Sequence, residues 1–214
     1  MMYSELSDHA KRLACDEYRA KDIGYNWWED TYADAVIVVG FLGFNATKTV
    51  QRGRIGAPGF GRWVQVPDIN FTGFSNQGDG ACFRGDWAAK RVDMAGLMAH
   101  APNDTAIHEL CAKITLVSLV HTELTFDVVT INDSHYFHSG VMQISGYERD
   151  PDGDGGWTEL DDEIEHTMKT LMREAADWIY DQLSASHDFI ESDENVEDNI
   201  VANCYEFTEE GEFI

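Results

Sequence analysis

The apolar positions of the chain follow a helical period in three long stretches. Residues recur every three or four positions over 27–42, over 104–119 and over 158–183, which is typical of helices with one buried face. Asp104 or Thr105 is predicted to cap the second helix, and Thr158 the third. The predicted buried stripe of the second comprises Ile107, Leu110, Cys111, Ile114, Leu116 and Val117. That of the third comprises Ile164, Met168, Leu171, Ala175, Trp178, Ile179 and Leu183.

Two shorter helices are predicted at the ends of the chain. Residues 1–23 are polar and of mixed charge, which indicates a short amphipathic helix with frayed ends. An acidic helix is predicted over 193–204, followed by an aromatic tail over 205–213.

Stretches rich in β-branched and aromatic residues predict two hairpins. The first joins a strand over 63–74 to a strand over 81–87 through a glycine-rich turn. The second joins 122–131 to 136–146 through a short polar turn. Ahead of them, residues 45–61 are rich in glycine and predict a loop or loose hairpin. Arg52, Arg54 and, just beyond, Arg62 make it the one local basic cluster.

This order of elements predicts an α+β fold. Hairpins with one apolar face need a cover, and helices with one apolar stripe can supply it, so we expect an antiparallel sheet of hairpins covered by helices on one face. A long acidic helix is predicted in the C-terminal part. We expect a single domain over 1–214, in which 1–23 is loosely attached and 151–214 is an acidic helical third.

Net charge is the compositional feature that most affects the predicted function. The formal net charge is −24, and residues 151–214 hold 20 acidic side chains against Lys169 and Arg173. Such a field repels nucleic acid and anionic membranes and attracts basic protein surfaces. We therefore expect a partner with a basic surface and no direct binding to nucleic acid or membrane. A homodimer remains one alternative for the oligomeric state.

The hydrophobic stretches and the cysteines of the chain indicate where the protein is located in the cell. No stretch of 18 apolar residues occurs, and the N-terminal residues show no basic region followed by an apolar one, so we expect neither a membrane span nor a secretory signal. The four cysteines, Cys15, Cys82, Cys111 and Cys204, form no CxxC pair. We expect buried free thiols in a reducing cytosol, with neither a metal site nor a cofactor.

The most distinctive segment for chemistry is the glycine-rich turn at 73–80. Asp79 lies between Gly78 and Gly80 and follows Gln77, so its carboxylate could serve as a ligand or general base with open access. The alternative is structural, because an Asp in a tight turn commonly accepts hydrogen bonds from its own backbone.

Two further segments are weaker candidates for ligand binding. His135 and His138 are three residues apart, so on a regular strand they point to opposite faces and cannot share one metal. The fragment 150–155 has acids at alternate positions and a glycine at the sixth, as in a calcium loop, but Asp161 stands where that loop has Glu.

The acidic runs allow two interpretations. Carboxylates on an exposed helix can mimic the phosphates of nucleic acid and occupy a basic groove, or they can simply keep a helix face hydrated, as in proteins from salt-rich hosts. Under the first interpretation the binding residues are Glu191, Asp193, Glu194, Glu197 and Asp198.

Several pieces of the chain resemble a family of small proteins of tailed bacteriophages, commonly labelled "antitoxin of toxin–antitoxin stability system". In that family an aromatic-Ser-Gly-Phe segment precedes a bulky residue and then Gln-Gly-Asp-Gly-Ala. The matching residues here are Phe71, Gly73, Phe74, Gln77, Gly78, Asp79, Gly80 and Ala81. Similar pieces follow in the same order, namely Trp28, Tyr32, Asp34 and Ala35; His135, Tyr136, His138 and Ser139; 176–180; and 205–208. Ser75 departs from the bulky residue of the motif.

The resemblance implies a viral origin and a place in the host cytoplasm, and it brings no established catalytic residue. The leading hypothesis is a phage accessory protein that neutralises a host defence or toxin component through its acidic surface. The alternative is a small-ligand-binding protein or hydrolase whose site joins Asp79 to His135 and His138. No pattern in the sequence points to a reaction, so a binding protein is favoured over an enzyme.

Overall fold

The computed structural model describes residues 1–21, 26–52, 61–130, 136–149, 156–158 and 160–214. The chain divides into two compact units, one formed by Asp30–Gln182 and one by Met1–Glu29 together with Leu183–Ile214. We call them the sheet unit and the terminal unit.

Helices and strands come in separate groups along the chain. The helices are α1 (Asp8–Ala20), α2 (Trp28–Phe41), α3 (Met94–His100), α4 (Thr105–Val120), α5 (Asp162–Ile190) and α6 (Asp193–Ala202). The strands are β1 (Leu42–Asn45), β2 (Thr47–Arg52), β3 (Arg62–Pro67), β4 (Ile69–Thr72), β5 (Gly80–Phe83), β6 (Gly85–Val92), β7 (Leu124–Thr130), β8 (Met142–Arg149) and β9 (Trp157–Thr158). The predicted α+β class, with a long helix in the C-terminal part, is confirmed.

A five-stranded antiparallel sheet in the order β1-β6-β7-β8-β9 forms the centre of the sheet unit. Along β7 the side chains alternate between buried Phe126 and Val128 and exposed Asp127 and Val129, as a sheet with one covered face requires. Phe126 lies opposite Trp87 of β6 in register, and both are almost fully buried.

The predicted strand over 63–74 is in fact two strands with different partners. β3 pairs with β2, whereas β4 pairs with β5, and Asp68 stands between them. The Asp68 N–H donates to the carbonyl of Ala46, its own carbonyl accepts from the N–H of Arg84, and its buried carboxylate binds Lys48 at 2.8 Å. These bonds fix the residue at which the chain changes partners, so one continuous strand is excluded.

The predicted strand over 81–87 is also divided. β5 ends at Phe83 and β6 begins at Gly85, which joins the five-stranded sheet instead of the hairpin. A Cβ on Gly85 would lie 1.9 Å from the carbonyl oxygen of Asn45, so only glycine permits this crossing.

Helix positions were predicted well, with errors at some ends and faces. Asp104 caps α4 by accepting the N–H of Ile107 at 3.1 Å, but Leu116, predicted to be buried, is 68% exposed. α5 begins at Asp162 rather than at Thr158, because Thr158 belongs to β9 and faces Glu148 in register. Its predicted apolar face is buried from Met168 to Leu183, and Ile164 is half-buried.

The second predicted hairpin is present, but its later strand is displaced. β8 begins at Met142 rather than at 136, because Ser139–Val141 form a short 3-10 helix before it. Neither β1 nor α3 was predicted from the sequence. Asp93 caps α3 by accepting the N–H of Gly96 at 2.9 Å.

In the terminal unit α1 packs against α6, and the predicted helices at both ends of the chain are confirmed. The buried core of this unit includes Tyr3, Leu6, Ala14, Ile200 and Phe207. Within the described ranges, none of the helices combines the length and apolar character needed to cross a membrane.

Candidate functional site

Asp79 stabilises its own turn. Its Oδ2 accepts the backbone N–H of Ser75 at 2.9 Å and that of Asn76 at 2.7 Å, and its own N–H donates to the carbonyl of Asn76. Gly78 has a φ of +99°, a conformation that favours glycine. The turn interpretation therefore describes what this carboxylate does.

The segment that precedes β8 lies directly against this turn. The N–H of Phe137 donates to Thr72 Oγ1 at 3.1 Å, and that hydroxyl donates to the Phe137 carbonyl at 3.3 Å. A Cβ added to Gly80 would lie 2.6 Å from Cβ of His138. The two polar segments that the sequence singled out are thus brought together, and Gly80 is required by the close approach.

Not every predicted site residue contributes to this arrangement. His138 accepts the N–H of Gly140 through Nδ1 at 3.0 Å and so caps the 3-10 helix. Gln77 is exposed at the turn. His135 and the calcium-like fragment 150–155 lie outside the described residues.

An aromatic group attaches the turn to α5. The rings of Phe74 and Tyr180 stack at an interplanar angle of 30° with centroids 5.3 Å apart, and Phe71 contacts both Phe74 and Tyr32. The Tyr180 hydroxyl donates to the carbonyl of Gly73 at 3.0 Å. Tyr180 was not among the site residues predicted from the sequence, although Phe74 and the segment 176–180 both belong to the bacteriophage resemblance.

Negative charge collects beside this aromatic group. Burial, followed by the carboxylates of Asp79 and Asp181, raises the pKa of Tyr180, so its hydroxyl stays protonated at neutral pH. Asp181 is an exposed residue, but partial desolvation of its carboxylate and the neighbouring Asp177 likewise raise its pKa. This surface therefore attracts cations.

The described residues at the turn offer little for nucleophilic catalysis. Cys82 is fully buried, and burial is the main cause that raises the pKa of its thiol to about 11, so it is protonated at neutral pH. Cys15 and Cys111 are also buried, as predicted, but Cys204 is exposed. Within the described ranges, no group of three or more His, Cys, Asp or Glu side chains is placed to hold a metal ion.

The second candidate surface is the acidic side of α6 together with Glu191, which precedes this helix. All five acidic residues predicted to bind a partner are exposed. Arg19 reaches two of them, since its guanidinium binds the Asp193 carboxylate and donates to the Glu191 carbonyl at 3.0 Å. Glu194 and Asp198, one turn apart, form no ion pair with another described residue.

The terminal unit also contains a cavity of about 340 Å³ that no sequence pattern predicted. Tyr3 and Cys15 line it, and a hydrogen bond of 3.3 Å joins the Tyr3 hydroxyl to the Cys15 thiol. Burial, together with Cys15 and Glu197, strongly raises the pKa of Tyr3. Charged side chains of both signs complete the lining, so the cavity indicates no single ligand class.

These features define an α+β protein with an antiparallel sheet, a glycine-rich turn held by aromatic residues, and an acidic helical end. The chain belongs to a family described as a domain of unknown function (DUF8835), whose model matches residues 27–193. The match includes the turn at 73–80 and Tyr180 and ends at the start of α6. Neither the curated proteins nor the solved structures contain a match to this chain.

Proposed function

We propose that this chain is an accessory protein of a tailed bacteriophage, which acts in the host cytoplasm by binding a basic surface on a host protein. Its target would be a nucleic-acid-binding defence or toxin component, whose groove it would occupy. The observation that carries the proposal is the exposed row of carboxylates on α6, in a chain that has no Lys or Arg after Arg173.

The charge density of α6 supports mimicry of nucleic acid. Asp193, Glu194, Glu197 and Asp198 fall within six residues, which is roughly 9 Å of helix at 1.5 Å per residue. That gives one charge per roughly 2.3 Å, close to the charge per about 1.7 Å along duplex DNA. A groove that binds phosphates would therefore meet a similar field.

Ion pairing divides these carboxylates into two groups. Arg19 offsets part of the charge of Asp193 and Glu191, and the charge of Glu197 acts on Tyr3, whose pKa it helps to raise after burial and Cys15. Glu194 and Asp198 lack such contacts among the described residues, so binding a partner does not first require breaking an ion pair. We expect these two residues to contribute most to partner binding.

A site at the turn is the second candidate, because the turn and the segment 136–138 do lie together. Two observations weigh against catalysis there. Asp79 already accepts two backbone N–H groups, and His138 uses Nδ1 to cap a helix. The remaining possibility at the turn is that the aromatic group of Phe71, Phe74 and Tyr180 binds a ligand. Such binding would not depend on α6.

The test is a pull-down from infected host cells, followed by a titration in which the protein and a nucleic acid compete for the recovered partner. We expect mutually exclusive binding that weakens as salt increases, because exposed charges are screened over about 8 Å at physiological ionic strength. Glu194→Gln with Asp198→Asn should slow association, since peripheral charges act mainly on the association rate.

The matched control is Glu109→Gln with Asp127→Asn, which removes the same charge from exposed positions of the sheet unit. It should leave the association rate within about twofold of the wild type. Simultaneous binding of protein and nucleic acid to the partner, or equal effects of the two double variants, would refute mimicry by α6.

A further inference from the structure

The hairpin of β2 and β3 is a separate two-stranded sheet. The two strands pair over six residues each, from Thr47↔Pro67 to Arg52↔Arg62, and neither belongs to the five-stranded sheet. Val50, Val64 and Val66, which share one face by register, are only half-buried. A lone two-stranded hairpin is marginally stable in water, so a covering surface would stabilise it.

Its charge is opposite to that of the rest of the protein. The 33 residues 35–67 contain no Asp or Glu, whereas the chain as a whole has 39. The cations in this stretch are Lys48, Arg52, Arg54 and Arg62, and Lys48 is already paired with Asp68 at 2.8 Å. A local basic segment is therefore present in a strongly acidic protein.

Two arginines occupy facing register positions at the end of this hairpin. Arg52 and Arg62 are Cα partners in the ladder. Both belong to the stretch without Asp or Glu, so this end of the hairpin is basic in sequence. A basic segment attracts an anionic partner.

A large apolar side chain occupies the next position along β3. Trp63 is 65% exposed, and its register partner Gln51 and the nearby Gln65 are exposed as well. Trp and Arg are the residue types that most often dominate binding energy at protein interfaces. The hairpin thus has the composition of a docking element.

The sheet unit itself has a complementary surface on α5. Asp177 and Asp181 are one helical turn apart, both exposed, and they form no ion pair within the described parts of the chain. Their repulsion contributes to the raised pKa of Asp181, and Asp79 adds further negative charge nearby. The hairpin segment is basic and the α5 surface is acidic, so contact between the two is electrostatically attractive.

We propose that the β2–β3 hairpin of one molecule docks on the Asp177–Asp181 surface of a second copy, with Trp63 as the apolar anchor. Each copy carries both surfaces, so a reciprocal contact gives a closed dimer. A second copy fits as the partner because each copy supplies, on α5, the exposed carboxylates of Asp177 and Asp181 that complement the basic hairpin. This contact uses none of the α6 residues assigned to the host partner.

The test is sedimentation equilibrium of the full chain over a range of concentrations. We expect a monomer–dimer equilibrium in which Trp63→Ala raises the dissociation constant about 30-fold or more, as loss of an anchor residue does. Trp157→Ala is the matched control, because Trp157 is 62% exposed on β9. It should change the constant by less than about threefold. Far-UV circular dichroism verifies that each variant is folded. If Trp63→Ala is misfolded, Gln51→Glu is tested in its place, with the same expected weakening of the dimer.

A charge-exchange experiment tests whether the hairpin contacts the Asp177–Asp181 surface. Arg62→Asp alone and Asp181→Arg alone should each weaken the dimer, and the two substitutions in one chain should restore it to within about tenfold of the wild type. The proposal is overturned if the wild type stays monomeric at all concentrations or if the exchange fails to restore a folded variant. Binding of single-stranded DNA to a monomer through Trp63 would overturn it equally.

Discussion

At the scale of single residues, three aspartates of the sheet unit have different roles because their neighbours differ. Asp104 caps α4 and also accepts the indole N–H of Trp178 at 2.9 Å, which satisfies the one polar atom of a side chain only 8% exposed. Asp79 holds a turn through two backbone N–H groups. Asp181 is partly desolvated and has a like charge beside it instead of a donor. The first two stabilise the fold, and the third destabilises it when ionised.

The raised pKa of Asp181 gives a pH-dependent prediction. The folded protein binds the proton more tightly than the unfolded chain, so its stability falls as the pH rises from the unfolded value, about 3.9, through the folded pKa. Asp181→Asn should therefore raise the free energy of unfolding at pH 7, and this gain should fade on acidification below about pH 4. Urea denaturation at both pH values, at concentrations where the chain is monomeric, measures it.

Asp188→Asn controls for the loss of one exposed carboxylate from the same helix. A variant Asp181→Asn that is less stable than the wild type at pH 7 would contradict the prediction.

At the scale of elements, the passage from α2 into β1 depends on one glycine. Gly43 has a φ of +95°, and a Cβ there would lie 2.7 Å from Nε1 of Trp87. That nitrogen donates to the carbonyl of Leu42 at 2.7 Å and anchors the first residue of β1 to β6. Gly40, three residues earlier, lies inside α2, and a Cβ added there would meet open space, with no packing neighbour within 4 Å.

The two glycines should respond in opposite directions to the same substitution. Gly43→Ala should lower the free energy of unfolding by about 1–3 kcal/mol, because it combines a left-handed backbone with a steric clash. Gly40→Ala should raise it by up to about 1 kcal/mol through helix propensity alone. Chemical denaturation of both variants measures the difference, and a loss of stability at Gly40 would show that α2 is packed differently.

At the scale of the whole molecule, net charge opposes the folded state. With 39 acidic and 15 basic side chains, mutual repulsion is relieved when the chain expands. The ion pairs of the described residues are at least partly exposed, as for Lys90 with Glu123 and Lys113 with Glu174. Exposed pairs contribute roughly 0–1 kcal/mol each. Screening should therefore remove more repulsion than attraction.

Stability in urea should accordingly increase between low salt and about 0.5 M sodium chloride, where the screening length is only a few ångströms. A variant with Glu194→Gln, Asp198→Asn, Glu209→Gln and Glu210→Gln should show a weaker dependence, because less repulsion remains to be screened. If salt instead lowers the stability of the wild type, attractive pairs dominate its electrostatics.

The sequence by itself determined the fold class and most of the helices. The periods of α4 and α5 indicate which residues of each helix are buried, and the capping residue of α4 indicates where that helix begins. Both kinds of information are local. The turn role of Asp79 was one of two interpretations that its glycine neighbours allowed. Such features can be predicted from short segments of consecutive residues.

The tertiary structure alone decided which segments meet. Asp68 and Gly85 redirect strands to new partners, Thr72 binds Phe137 at a separation of 65 residues, and Tyr180 reaches Gly73 across 107. Local hydrophobic patterns do not encode these pairings, because each depends on backbone groups and side chains that become neighbours only after the chain has folded. The candidate site at the turn is made of such distant contacts, which is why the sequence indicated Asp79 and missed Tyr180.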